Sequence, residues 1–157
     1  MIRPLVDDDR VWLAEFARER WGSPLVVADG RAYRIDELPG FVALEAQRVV
    51  GLITYLSEGD RCHVVSLDAV DQGRGIGSAL LEQVVDAARG ARCARVELIT
   101  TNDNMRALRF YQRRGFRLAA LSPGALEHSR QIKPQIPLVG EHGIPLRDEL
   151  LLVRELE

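Results

Sequence analysis

Three glycines at alternate positions, Gly73, Gly75 and Gly77, stand between an apolar strand-like run ending near Leu67 and a helical stripe beginning near Ser78. Glycine lets backbone N–H groups approach an anion with no Cβ in the way. A helix start behind such a turn adds unpaired donors and the positive end of the helix dipole. A pyrophosphate suits that arrangement, and the plainer alternative is a turn that only starts a helix. The spacing is wrong for the dinucleotide fingerprint G-x-G-x-x-G, and Ser78-Ala79 after Gly77 breaks the G-K-[ST] of a nucleotide P-loop.

The elements around this turn follow from periodicity. Leu80, Leu81, Val84, Val85 and Ala88 form one stripe of a helix over about 75–89, closed by Gly90. A strand over 95–100, a helix over 104–114 ended by Gly115, and a strand over 116–121 come next. Upstream, 2–6 is a short strand, and a helix over 8–20 buries Val11, Trp12, Phe16 and Ala17. Asp29-Gly30 joins 25–28 to 31–34 as a hairpin. Strands at 40–46 and 49–57 flank a turn at Gln47-Arg48, and Glu58-Gly59-Asp60 leads into a strand over 62–67. A short helix over 125–131, a Pro- and Gly-rich loop and a last strand over 149–156 complete the chain. The fold class is α/β with a mixed sheet: antiparallel N-terminal strands, then a central strand–helix–strand unit, in a single domain over 1–157.

Composition narrows the function classes. The 157 residues are 46% hydrophobic and 28% charged with a net charge of -2, and no basic stripe calls for a nucleic-acid partner. No apolar run approaches the roughly 20 residues of a membrane helix, and the charged N-terminus does not read as a signal peptide. Cys62 and Cys93 are separated and apolar in context, as expected of buried free thiols in a cytoplasmic protein. His63, His128 and His142 show neither HxxxH nor HExxH spacing, so no metal is expected.

The run Leu67-Asp68-Ala69-Val70-Asp71-Gln72-Gly73-Arg74-Gly75-Ile76-Gly77 resembles the coenzyme A pyrophosphate loop of the GNAT acyltransferases, [Q/R]-x-x-G-x-[G/A]. Ala69 stands where many members have proline. Downstream, Asn104-x-x-Ala107-x-x-Phe110-Tyr111-x-x-x-Gly115-Phe116 is similar to the same family's N-x-x-A-x-x-x-Y-x-x-x-G-F. The resemblance implies the GNAT fold, with pantetheine between two splayed parallel strands and acetyl-CoA as cosubstrate. It implies that backbone groups of Leu67 hold the pantetheine arm. Amides of Gln72, Gly73, Arg74, Gly75, Ile76, Gly77 and Ser78 would hold the pyrophosphate. Asn104 would bond coenzyme A or the neighbouring backbone, and Tyr111 would protonate the leaving thiolate; read alone, Tyr111 is more often a core aromatic, and the combined motif reverses that.

An ammonium acceptor must lose a proton before it attacks. His63 is a candidate base because imidazole titrates near neutrality; the family often has an acid at that place. Glu97 is the alternative, and loss of the proton to water is a third route. The bland readings are a satisfied sheet histidine and an exposed strand charge. The acceptor, a small-molecule or peptide amine, is expected to meet the N-terminal helix, the hairpin and the loop 132–148. An N-acetyltransferase is the leading expectation, a non-catalytic acyl-CoA-binding or sensing domain the alternative, and a nucleotide-dependent transferase a third class. A homodimer is compatible with the family.

Overall fold

The change from two-residue to helical periodicity is reproduced in the order of the elements. The chain runs β1 (Ile2–Pro4), a short 3-10 turn, α1 (Arg10–Trp21), β2 (Leu25–Ala28), β3 (Arg31–Arg34), β4 (Gly40–Glu45), β5 (Arg48–Glu58) and β6 (Arg61–Ala69). Then come α2 (Ile76–Gly90), β7 (Arg95–Thr101), α3 (Met105–Gln112), β8 (Arg117–Ser122), α4 (Ala125–Ile132) and β9 (Glu149–Glu155). These elements belong to a computed structural model that describes residues 1–70 and 73–157. Seven strands form one mixed sheet in the order β1-β4-β5-β6-β7-β9-β8, and β2-β3 is a separate hairpin. Among the described residues no helix is long and apolar enough to cross a membrane.

The chain falls into two units. The first holds Met1–Val26, Arg34–Val96 and Leu156–Glu157. In it β1 pairs with β4, β4 with β5 and β5 with β6, all antiparallel, as expected of the N-terminal strands. The stripe Leu80, Leu81, Val84, Val85 and Ala88 is wholly buried, as are Val42, Leu52 and Ile53 of the sheet. Arg3, Val6 and Trp12 converge on the buried Asp9, whose carboxylate accepts from both Arg3 amino nitrogens (2.7 and 2.9 Å), the Val6 N–H (2.8 Å) and Trp12 Nε1 (2.8 Å). These donors hold the carboxyl well below the usual carboxylate range, Arg3 contributing most.

The second unit holds Val27–Tyr33 and Glu97–Glu155. There β8 pairs antiparallel with β9, with Ala119 bulged out between Leu118 and Ala120. Its interior includes Leu98, Tyr111, Phe116, Leu126 and Leu152.

Four local expectations are corrected. The β4–β5 turn lies at Ala46-Gln47, both left-handed (φ 49° and 64°), one residue before the Gln47-Arg48 position. In α1 the buried residues are Leu13 and Ala17, whereas Val11 is 75% exposed; the helix is anchored along the i, i+4 pair. Gly90 ends inside α2, and the left-handed residue beyond it is Arg92 (φ 59°). Cys93 N donates to Ala88 O and Arg92 N to Arg89 O, so arginine occupies the place glycine usually takes in this cap. Finally, α3 stops at Gln112, two residues before Arg114. Cys62 and Cys93 are buried free thiols, as expected, and burial pushes Cys62 up to about 11.

Candidate active site

The glycine turn is best understood from the strand that feeds it. β5 and β6 pair Ile53 with Leu67 and Thr54 with Ser66, then slip so that Val65 is an extra residue on β6. A bulge there bends the strand just before Leu67, and Thr54 Oγ1 and Ser66 Oγ lie 2.6 Å apart across the pair. Val65 to Ala69 are half-buried, after the buried Cys62, His63 and Val64. Asp68 Oδ2 is 3.2 Å from Arg20 Nε, yet that oxygen has no hydrogen-bond partner among the described residues. The contact is a charge pair without donor alignment, tying the end of β6 to α1.

Gly73 and Gly75 are left-handed (φ 88° and 80°), and a Cβ on either would meet nothing within 4 Å. Glycine is therefore required here by the backbone and leaves open space over the turn. Gly75 is the N-cap of α2, and no side chain caps that helix. The first intrahelical bond of the turn is Ala79 N to Gly75 O at 3.0 Å, so the amides of Ile76, Gly77 and Ser78 precede the helix's own ladder. Arg74 pairs with Glu45 at 2.5 Å on the rim. Gln72 lies outside the described residues. The first unit brings Leu67, Gly73, Arg74, Gly75, Ile76, Gly77 and Ser78 onto one strand-to-helix connection, where a helix start and left-handed glycines present backbone N–H groups of the kind that suit an anion.

One residue that sequence reading passed over sets the helix against the sheet. A Cβ on Gly51 of β5 would come 2.7 Å from Ile76 Cγ2 and 2.8 Å from Leu80 Cδ1. The first turn of α2 can sit where it does because residue 51 has no side chain.

In the second unit the later motif proves to be a helix with a marked start and stop. Asn104 Oδ1 accepts from Ala107 N at 3.1 Å, which makes Asn104 the N-cap of α3. At the other end Phe116 N donates to Tyr111 O (3.1 Å) and Gly115 N to Gln112 O (3.4 Å), with Gly115 left-handed at φ 89°. The rings of Tyr111 and Phe116 meet edge-on, centroids 5.3 Å apart, supplying the apolar contact that accompanies this cap. Tyr111 is 7% exposed. Burial pushes its phenol well above the ordinary value, with Arg114 opposing slightly. The phenol is thus fully protonated at neutral pH.

Of the two base candidates, His63 is buried on β6 opposite Leu56. Glu97 is buried on β7, 5% exposed, and so is not the exposed strand charge of the bland reading. His63 belongs to the first unit, while Glu97, Asn104 and Tyr111 belong to the second.

Two further residues missed in the sequence organise the late loop. Asn102 Oδ1 accepts from Arg147 N (3.1 Å) and Asp148 N (3.0 Å), and its Nδ2 donates to Pro145 O (2.9 Å). The buried Asp103 accepts from Thr101 Oγ1 (2.5 Å) and Glu141 N (2.9 Å). The segment read as irregular is therefore pinned to the connection that precedes α3.

The profile of the "Acetyltransferase (GNAT) family" matches residues 8–116. YxbD of Bacillus subtilis (strain 168) is 48% identical over 146 residues, covering 92% of each chain. Among solved structures, the IAA acetyltransferase from Bacillus cereus ATCC 14579 superposes with a TM-score of 0.72 at 22% identity, covering 99% of both chains. A GNAT family acetyltransferase from Elizabethkingia anophelis, solved with acetyl-CoA bound, gives 0.71 at 20% identity over 99% of this chain and 97% of that one. The profile match spans most of the chain and includes both the glycine turn and the α3 motif, and on that ground the chain belongs to the GNAT acetyltransferase family.

Proposed function

We propose that this chain is an N-acetyltransferase that moves an acetyl group from acetyl-CoA to a primary amine by direct attack in a ternary complex. The observation that carries the reading is the uncapped start of α2 behind two left-handed glycines with open space above them. Backbone amides at a positive helix end suit a pyrophosphate. A relative of the same fold, solved with acetyl-CoA, supports that donor.

In this reading the amine nitrogen attacks the thioester carbon. A backbone N–H near Leu67 polarises the carbonyl and holds the oxyanion of the tetrahedral intermediate. The C–S bond then breaks, and the Tyr111 phenol gives its proton to the departing thiolate. Burial keeps Tyr111 in the neutral phenol form that a proton donor must have, while weakening it as an acid toward the thiolate. The amine's surplus proton passes to His63, Glu97 or water.

The test is release of free thiol from acetyl-CoA across a panel of primary amines, small molecules and peptides. Release with at least one amine is expected. Tight acetyl-CoA binding with no release from any amine would replace transfer by the sensing-domain alternative.

A further inference from the structure

Glu149 opens β9 with only 4% of its surface exposed. Its Oε1 accepts one hydrogen bond, from the Asp29 N–H at the tip of the β2–β3 hairpin (3.1 Å). A carboxylate offers about four lone-pair sites, and among the described residues no arginine, lysine or histidine pairs with this one. Burial raises the Glu149 carboxyl; the Asp29 N–H opposes that shift, and the Asp29 charge adds to it. The neighbouring Asp148 is already engaged, its Oδ1 accepting from Gly124 N at 2.9 Å.

The hairpin tip that donates to this carboxylate is polar and lies at the surface. Asp29, Gly30 and His128 are all exposed. The His128 ring closes on the hairpin tip: a Cβ on Gly30 would lie 3.3 Å from His128 Cδ2 and 3.5 Å from Nε2. Glu149 Oε2 keeps a small contact with solvent, but a carboxylate this buried, with one neutral donor and no counter-charge, is costly as it stands. What it lacks is a compact cation with several donors, which describes a primary ammonium.

We propose that Glu149, beside the Asp29-Gly30 hairpin tip that His128 flanks, is the site that takes the ammonium group of the acceptor. The identification of that ammonium as the acceptor's rests on the acetyl-transfer reading above. The binding itself is independent of it.

The Asp29 amide is the natural reporter, since it donates to Glu149. Uniformly 15N-labelled protein is titrated with n-butylammonium chloride and, separately, with n-butanol, which has the same chain without the charge. The Asp29 cross-peak is expected to move saturably with the ammonium and not with the alcohol. Glu149→Gln keeps an oxygen for the Asp29 N–H, and it should weaken the ammonium response about tenfold or more, the loss of one charge-assisted hydrogen bond. Equal response to both probes, no response in the native chain, or an unchanged affinity in Glu149→Gln would overturn the proposal. Because the readout needs neither acetyl-CoA nor turnover, its failure leaves acetyl transfer standing. A saturable ammonium shift without thiol release would sink acetyl transfer and leave the binding site.

Discussion

Replacing Gly51 with alanine tests whether the sheet holds the anion cradle in place. The new methyl would lie 2.7 Å from Ile76 Cγ2 and 2.8 Å from Leu80 Cδ1, against roughly 3.5–4.0 Å for comfortable carbon contact. The Leu80 methyl is the end of a flexible side chain and can rotate away. Ile76 is β-branched and its rotamer is locked in a helix, so relief there moves its backbone by about 1 Å. That backbone belongs to the first turn of α2, whose amides from Ile76 to Ser78 face the proposed pyrophosphate. A shift of this size takes an N–H···O bond out of its usual range of about 2.7–3.2 Å. Losing one charge-assisted bond, worth about 1.5–3 kcal/mol, weakens coenzyme A by about 10–100-fold. Overpacking itself costs about 1–3 kcal/mol; about 0.4–1 kcal/mol returns because alanine narrows the unfolded ensemble. Calorimetry with coenzyme A and with acetyl-pantetheine, which lacks the pyrophosphate, separates the effects. Coenzyme A should lose affinity while acetyl-pantetheine does not. A lowered Tm with unchanged coenzyme A affinity would show that Ile76 yields without moving the amides, and the reasoning would fail.

Tyr111→Phe should lower kcat by about 10²-fold or more, the usual contribution of a general acid, while coenzyme A affinity holds; an unchanged rate removes Tyr111 from the chemistry. Asp9→Asn should cost about 2 kcal/mol at neutral pH, discounted because Arg3 is partly exposed, or about 4–8 °C in Tm. The folded Asp9 carboxyl is depressed from its ordinary 3.8, so its contribution is complete above that value and is lost as pH falls below it. The Tm gap between the native chain and Asp9→Asn should therefore close on acidification, and a constant gap would contradict the assignment. Asn102→Ala removes three hydrogen bonds to Pro145, Arg147 and Asp148. Amide exchange at 147 and 148 should accelerate with coenzyme A affinity unchanged, and protection equal to the native chain would show that the loop is held by other contacts.

Local punctuation was the legible part of this molecule. Asp29-Gly30, Gly73, Gly75, Asn104 and Gly115 each have a backbone consequence that residue type alone dictates, and each appears where its chemistry requires. Contacts between distant segments were not legible. Gly51 looks like any strand glycine until Ile76 and Leu80 are packed against it. Nor was one local convergence legible: Asp9 reads as a helix-dipole acid, yet Arg3, Val6 and Trp12, all within six residues, donate to it together. Arg92 in a left-handed cap carries no signature, because arginine does not favour that region. Glu149 looks like an ordinary charge at a strand start, and only the folded chain, with the hairpin tip bonded to it, shows that it is buried.

The cap bonds around α3 bear on how this domain can change its trade. Asn104 begins the helix, Gly115 and Phe116 end it, and the Tyr111 ring completes the stop. Phenylalanine at 111 would satisfy every one of those contacts. Folding therefore guards the pattern except for a single oxygen atom. On the proposed mechanism, a descendant chain with phenylalanine there would abandon transfer, keep its grip on the thioester and still carry every other letter of the pattern. For such chains the letter at position 111 is more informative than the rest of the motif together.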